Sequence, residues 1–356
     1  MKVIKNIFTS VFVSTILFFS GLVQSLEVIE ILGGRASQIP IAITPFKNDN
    51  QNKNMQLMHE IISNDLSRSG LFSPIDVSGV SQYPYDERDV NFSNWSALQS
   101  QFLILGTVKP NDSKRSKTQE VTWSLVDVYK EKTILTIALK GSSNQYRLIA
   151  HRIADIAYEK LTGSKGIFQT NIAFVKKINA KKYSLFISDY DGYNPKTILN
   201  SKHPIISPRW SPDGKKIAYV SFEKRKPVIY IQNIETGKRT LLANFRGNNS
   251  APSWSPDSKK LAIVLTYSSN SQIYVINADG SNIKQIMRTR SINTEPSWTP
   301  DGKQIFFSSD RGGSAQIYKV DIASNEVERI TFEGKNNLSP SLSPDGKLLL
   351  FLNQED

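Results

Sequence analysis

Ser207-Pro-Arg-Trp-Ser-Pro-Asp-Gly-Lys215 returns three times downstream, as Ala251-Pro-Ser-Trp-Ser-Pro-Asp-Ser-Lys259, Glu295-Pro-Ser-Trp-Thr-Pro-Asp-Gly-Lys303 and Ser339-Pro-Ser-Leu-Ser-Pro-Asp-Gly-Lys347. The aspartates Asp213, Asp257, Asp301 and Asp345 are 44 residues apart, and Trp210, Trp254, Trp298 and Leu342 keep the same spacing. So do Asp189, Asn233, Asn277 and Asp321, which mark a second turn in each unit. Two landmarks in phase define a structural repeat.

Each Pro-Asp turn is followed by a short apolar run: Ile217-Ala-Tyr-Val, Leu261-Ala-Ile-Val, Ile305-Phe-Phe-Ser and Leu349-Leu-Phe-Leu. Runs this short, rich in β-branched and aromatic residues and bounded by turns, read as buried strands. Val228-Ile-Tyr-Ile and Gln272-Ile-Tyr-Val supply a third strand, and Thr240-Leu-Leu-Ala a fourth. Four strands in a unit of this length describe a propeller blade. Pro212 fixes φ at the turn, Asp213 can accept from the backbone ahead of it, and Gly214 takes positive φ before the strand resumes. The tryptophan before each turn is more simply a side chain buried between blades than a ligand-stacking platform, because large aromatics supply buried area.

The first unit offers Ile172-Ala-Phe-Val, Ser184-Leu-Phe-Ile and Lys196-Thr-Ile-Leu as second, third and fourth strands, with no Trp-Ser-Pro-Asp before them. The last unit stops after Leu349–Leu352. The count is about four and a half blades.

Residues 26–165 follow another pattern. Ile39-Pro-Ile-Ala-Ile-Thr reads as a strand, and Asn54 to Ser69 as an amphipathic helix with Met55, Met58, Ile61, Ile62 and Leu66 on one face, ended at Gly70. Trp95–Gln99 is predicted as a short helix before a strand at Phe102–Gly106. A hairpin is expected near Val121–Val128 and Thr133–Leu139. A last helix, Tyr146–Leu161, places Ile149, Ile153, Ile156 and Ala157 together. Alternating helices and strands predict a separate α/β domain at 26–165, joined through Gly163–Gly166 to propeller repeats over 166–356.

Residues 1–25 carry a signal-peptide pattern: Lys2 and Lys5, an apolar stretch Ile7–Phe19, then Val23 and Ser25 before a cleavage point. The apolar run is shorter than the roughly 20 residues of a spanning helix. Cleavage after Ser25 and a periplasmic mature chain without a transmembrane segment are the expectation. The chain has no cysteine, which excludes disulfides and thiol chemistry. Its formal charge is +12, of which residues 166–356 hold +9. Such an excess favours acidic partners. The export pattern argues against nucleic acid.

Catalytic signals are sparse. Gly79-Val-Ser-Gln-Tyr, Gly141-Ser-Ser-Asn-Gln and Gly312-Gly-Ser-Ala-Gln all lack the second glycine of a nucleophile elbow. Three histidines are present, His59, His151 and His203, and His59-Glu60 is followed by Ser63 where a zincin needs histidine. Asp189-Tyr-Asp-Gly192 hints at a calcium loop, but the twelfth position is Asn200, and a hairpin turn is the better reading. Lys224-Arg-Lys226 and Lys114-Arg-Ser-Lys117 read as solvated loops. No catalytic, metal or cofactor site is predicted. The competing class is a propeller hydrolase or carbohydrate-binding protein with its site in the central channel, which carboxylates and histidines converging there would favour.

The order of signal, α/β domain and Trp-Ser-Pro-Asp-Gly propeller resembles the TolB family. Particular stretches carry the resemblance: Glu27-Val-Ile-Glu-Ile, Pro40-Ile-Ala-Ile-Thr-Pro-Phe46, Asp65-Leu-Ser-Arg-Ser-Gly-Leu-Phe72, Trp95-Ser-Ala-Leu98, Gly106-Thr-Val, Ala157-Tyr-Glu-Lys-Leu-Thr-Gly163 and Ser188-Asp-Tyr-Asp-Gly-Tyr-Asn194. It implies a six-bladed propeller, no enzymatic activity, and a monomeric scaffold of the Tol–Pal system, which maintains the outer membrane and helps constrict it during division. It implies docking to the lipoprotein Pal, hence peripheral association with the outer membrane, and to TolA. Pal would meet the loops entering each Trp-Ser-Pro motif, here His203, Ser207, Asn248, Ala251, Thr294 and Glu295. TolA would engage the mature N-terminus, here Leu26, Glu27, Val28, Ile29, Glu30, Ile31, Leu32 and Gly33. Six blades of 44 residues from Asn171 would reach to about residue 435, so roughly 80 residues beyond Asp356 are expected of a complete propeller.

Overall fold

The computed structural model describes residues 38–48, 57–110, 118–267 and 270–355. The predicted signal segment, Leu26–Gly33 and Lys114–Lys117 lie outside them. Among the described residues no helix is long and apolar enough to cross a membrane.

The N-terminal part is a mixed sheet flanked by helices. Its strands are β1 (Ile39–Ile43), β2 (Lys47–Asn48), β3 (Phe72–Pro74), β4 (Phe102–Pro110), β5 (Thr118–Asp127) and β6 (Lys132–Ser142). The order is β3-β1-β4-β5-β6, with β2 also beside β4. Strand β1 runs parallel to β3 and β4, while β4, β5 and β6 form an antiparallel meander. Helices α1 (Met58–Arg68) and α3 (Tyr146–Thr162) bury Met58, Ile62, Leu66, Ile153 and Ala157 against Ile41, Ile104 and Trp123 on one face. The other face buries Leu103, Leu105 and Val126 under Trp95 of the short helix α2 (Phe92–Ala97).

Two boundaries differ from expectation. Helix α2 starts three residues before Trp95, because the Asn91 side chain caps it by accepting from the Asn94 N–H. It is over before Gln99, which takes φ 59°. Strand β4 continues past Gly106 to Pro110, since β5 pairs with its whole length.

The C-terminal part consists of repeated antiparallel sheets. The first has three strands, β7 (Asn171–Asn179), β8 (Lys182–Asp189) and β9 (Lys196–Ser201). Three full blades follow: β10 (Ile205–Trp210) to β13 (Arg239–Ala243), β14 (Asn249–Trp254) to β17 (Lys284–Gln285), and β18 (Asn293–Trp298) to β21 (Val327–Arg329). A two-stranded sheet, β22 (Asn336–Leu342) and β23 (Leu349–Gln354), comes last. The α/β-plus-propeller class is as the sequence predicts, and the described sheets form an open arc.

Blades are glued face to face, as propeller blades must be. Ile229 and Val220 of one blade pack against Leu261 and Trp254 of the next, and Val264 and Ile273 against Trp298 and Phe307 of the one after. The tryptophans add a polar lock. Trp254 Nε1 donates to Arg209 O at 3.1 Å, and Trp298 Nε1 to Ser253 O at 3.0 Å, each across 45 residues. Trp210, next to the sheet without an inner strand, has a buried Nε1 with no partner.

The Ser/Thr-Pro-Asp turn is a closed hydrogen-bond circuit. Ser211 Oγ donates to Asp213 Oδ1 at 2.6 Å and accepts from Lys216 N at 2.9 Å, while Lys215 N donates to Asp213 Oδ1 at 3.0 Å. Ser255–Asp257, Thr299–Asp301 and Ser343–Asp345 repeat it. Gly214 at φ 70° reverses the chain as predicted. The hydroxyl donors hold Asp213, Asp257, Asp301 and Asp345 below their ordinary carboxylate range.

Candidate protein-interaction site

Proline cannot donate to a β-ladder. Each inner strand meets this problem at Pro208, Pro252, Pro296 and Pro340, and each solves it with a bulge. Pairing jumps from Ile206↔Val220 to Arg209↔Ala218, and at the same place in the other three blades. The residue before each proline turns left-handed: Ser207 at φ 53°, Ala251 at 47°, Glu295 at 53° and Ser339 at 55°. Positive φ in non-glycine residues is uncommon and concentrates at functional positions.

These bulges separate the expected Pal-facing residues into two groups. His203 and Asn248 lie in exposed loops between blades. The His203 N–H donates to Ser201 Oγ at 3.0 Å, and the Asn248 N–H to Thr266 Oγ1 at 2.8 Å. Ser207, Ala251, Thr294 and Glu295 are half-buried and lie within inner strands, not in the entering loops. The ladder resumes on both sides of the proline, which keeps them in the sheet. Glu295 is committed internally: Oε2 accepts from Ser308 Oγ at 2.9 Å and from Ser339 N at 2.7 Å, and Oε1 accepts from Ser339 Oγ at 2.8 Å. It ties two neighbouring blades together.

A second constellation, which the sequence reading missed, sits where α3 meets the β8–β9 turn. His151 Nδ1 lies 2.6 Å from Asp65 Oδ2, deep between α3 and α1. Arg147, one turn before His151, approaches its Nε2 at 3.3 Å, pairs with Asp191, and lies 3.6 Å from Asp189. Its guanidinium stacks 3.9 Å from the Tyr193 ring centroid. Tyr190 packs edge-on against Phe168, which in turn meets Tyr158 of α3. Asp155 receives the Phe168 and Gln169 N–H groups. Gly166 passes so close that a Cβ there would fall 2.2 Å from Asp155 Oδ1. Burial pushes the Asp65 carboxyl up, against the pull of His151. Burial opposes ionisation of Asp191 as well, but hydrogen bonds from Arg147 and the Tyr193 N–H hold it below the ordinary range.

Ligand atoms of His151, Asp189 and Asp191 approach within 4.8 Å of one another, a spacing that could suit a metal ion. The Arg147 guanidinium already supplies the positive charge there. The Asp189–Gly192 stretch acts as a docking turn, with Gly192 at φ 82°. Among the four described bulge positions Glu295 is the one carboxylate, and it is bonded to Ser308 and Ser339.

The comparisons with known proteins agree with this architecture. Residues 27–134 match the family described as the TolB amino-terminal domain, and residues 158–356 the TolB beta propeller domain. "Tol-Pal system protein TolB" of Methylobacillus flagellatus is 48% identical over 233 residues, 65% of this chain and 53% of that protein. The protein of the same description from Chromobacterium violaceum is 42% identical over 250 residues, 70% of this chain and 57% of that protein. The crystal structure of TolB from Acinetobacter baumannii superposes with a TM-score of 0.81 at 37% identity, covering 90% of this chain and 78% of that one. The chain spans about half the length of the curated relatives it matches. With both matches in sequence order and a shared fold over nine-tenths of its length, the chain belongs to the TolB family.

Proposed function

We propose that this protein is a non-enzymatic scaffold of the Tol–Pal envelope system. It works in the periplasm, binds Pal through the propeller rim around His203 and Asn248, and binds TolA through Leu26–Gly33. Through these two contacts it supports outer-membrane integrity and constriction at division. The observation that carries this reading is the succession of both TolB family matches in one chain, at up to 48% identity to proteins named as Tol–Pal system members. Signal cleavage after Ser25 and a division into an α/β domain at 26–165 and repeats at 166–356 belong to the same proposal.

The test is direct. The purified chain is passed over immobilised soluble Pal domain and over immobilised TolA domain. Retention on both, with TolA binding lost when Leu26–Gly33 is deleted and Pal binding kept, is the expected result. Failure to bind either partner, or hydrolysis of a peptide or glycan substrate at enzymatic rates, overturns the reading.

A further inference from the structure

The two ends of the propeller carry opposite charge. Strand direction alternates within each antiparallel blade, so connections 222–227 and 310–315, and the described residues 266–267 and 270–271 of the β15–β16 connection, share one end with the between-blade loops 202–204, 244–248, 288–292 and 332–335. Contacts between the two sets of loops fix this common end. Phe245 meets Tyr267 edge-on, and Asp310 accepts from the Ile292 N–H. Together with the β7–β8 turn at 180–181, these loops hold ten Lys/Arg and three Asp/Glu. The turns at the other end, 190–195, 211–215, 234–238, 255–259, 278–283, 299–303, 322–326 and 343–348, hold five basic and eight acidic residues. Docking of the α/β part uses that acidic end, through Asp191 and Arg147. The basic end faces away from it.

Little on the basic rim neutralises it. Three acids stand against ten Lys/Arg there, and one of the three, Glu223, is paired with Arg239 at 2.9 Å. Lys202, Lys224, Arg225, Arg246, Arg288 and Arg290 are exposed. Apolar side chains stand among them: Tyr267 is 60% exposed, Ile292 49% and Phe332 71%. Apolar anchors within a ring of charge are the make-up of a protein-docking surface, where anchors give affinity and charge gives encounter rate and choice of partner.

We infer that the partner received on this rim is a protein presenting an acidic surface, and that rim charge steers its arrival. The inference rests on the reading that this rim is the Pal-docking end, and it specifies the chemistry that the docked face must have. Steering of this kind raises association rates by about 10- to 1,000-fold and fades as salt rises.

The experiment compares the full chain with the variant Lys224→Glu/Arg246→Glu/Arg290→Glu, and with Lys238→Glu on the opposite end as control. Far-ultraviolet circular dichroism melts establish that all are folded, and the three reversals are also made singly. Three probes are used: the soluble Pal domain, a polyglutamate peptide, and vesicles containing phosphatidylglycerol. The expected result is a tenfold or greater drop in association rate with Pal at low salt, little change in dissociation rate, loss of polyglutamate binding, and no effect of Lys238→Glu. Pal binding that responds neither to salt nor to rim reversal overturns the inference and leaves the Pal reading standing. No Pal binding at all, with polyglutamate binding still set by the rim charges, overturns the Pal reading and supports the inference. Vesicle binding governed by the rim without polyglutamate binding overturns it in favour of a lipid surface.

Discussion

His151 Nδ1 and Asp65 Oδ2 stand 2.6 Å apart, joining α3 to α1 across 86 residues of sequence, with both side chains almost wholly removed from water. A charge buried this deeply is tolerated only with its partner in place. His151→Ala should leave the Asp65 carboxyl stranded and cost about 3 kcal/mol or more in denaturant unfolding. Asp65→Leu/His151→Leu should recover most of that loss, because two apolar side chains can fill the site without burying charge. Equal destabilisation in the single and double variants would show that packing, not charge, is what the pair supplies.

Arg147 extends this pair to the propeller. It is largely buried, bonded to Asp191 and stacked on Tyr193, so Arg147→Met should loosen the docking of the β8–β9 turn while leaving each part folded. The expected sign is faster proteolytic cleavage near 163–170 and separation of one thermal transition into two. Lysine should not rescue it, since an ammonium lacks the planar fork that bonds Asp191 and stacks on the ring. A single unchanged transition in both variants would place the coupling elsewhere.

Acid should weaken the propeller through its turns. Asp213, Asp257, Asp301 and Asp345 have folded pKa values lowered from 3.8, chiefly by the Ser or Thr hydroxyl two residues before. A lowered folded pKa means that the native state binds the proton less tightly than the unfolded chain. The stabilisation is therefore complete above about pH 4 and is lost as pH falls below it. Asp65, whose pKa is raised, works in the opposite sense: its contribution declines as pH rises above its ordinary value. Melting temperature followed from pH 6 to pH 3 should fall for the wild type. Ser255→Ala, which removes the donor to Asp257, should flatten that fall. An identical slope in the variant would separate the turns from acid sensitivity.

The 44-residue period, the turn chemistry at Asp213 and the interblade place of Trp254 and Trp298 were legible because each is a local pattern repeated. The faces of α1 and α3 were legible for the same reason. The bulges at Ser207, Ala251 and Glu295 were not, although Pro208, Pro252 and Pro296 were visible: a proline announces a lost donor without saying whether the strand ends or steps around it. The Asp65–His151–Arg147–Asp191 chain was illegible because its members come from three elements spread over more than a hundred residues. His151 looked solitary, and the Asp189–Gly192 stretch looked like a hairpin turn with nothing to hold.

Ala251 offers a clean measure of bulge strain. Its φ of 47° suits glycine, and its side chain is one methyl group. Ala251→Gly should be neutral or stabilising by up to about 1 kcal/mol, because relief of left-handed strain offsets the entropy glycine adds to the unfolded chain. Ala251→Val should cost about 1–2 kcal/mol, since a β-branched side chain is a poor fit to that conformation. Urea unfolding of the two variants checks both signs, and a more stable valine variant would show that the bulge is not strained. Charge reversal at Glu295 is a poor probe of partner binding, because it removes the bonds to Ser339 that tie neighbouring blades.

Among the described residues strand β23 pairs with β22 alone, and its other backbone edge has no partner there. Leu350 is 74% exposed and Leu352 66%, both on this strand. An open edge carrying exposed leucines is a template for pairing with another chain. Charges on such an edge oppose that pairing, because joining two copies would bury like charges together. Leu350→Lys/Leu352→Lys should therefore reduce aggregation during concentration and heating. It should change the unfolding free energy little, since side chains this exposed bury little area in the folded chain. Strand β7 opens the order β7-β8-β9 and is likewise paired on one side, and it already carries exposed Lys176 and Lys177 beside Ile178. It should contribute less. Light scattering on the lysine variant, on Ile178→Lys and on the wild type at equal concentration distinguishes the two edges. The greater gain is expected from β23, and no gain from the leucine replacements would move the aggregating surface to another part of the chain.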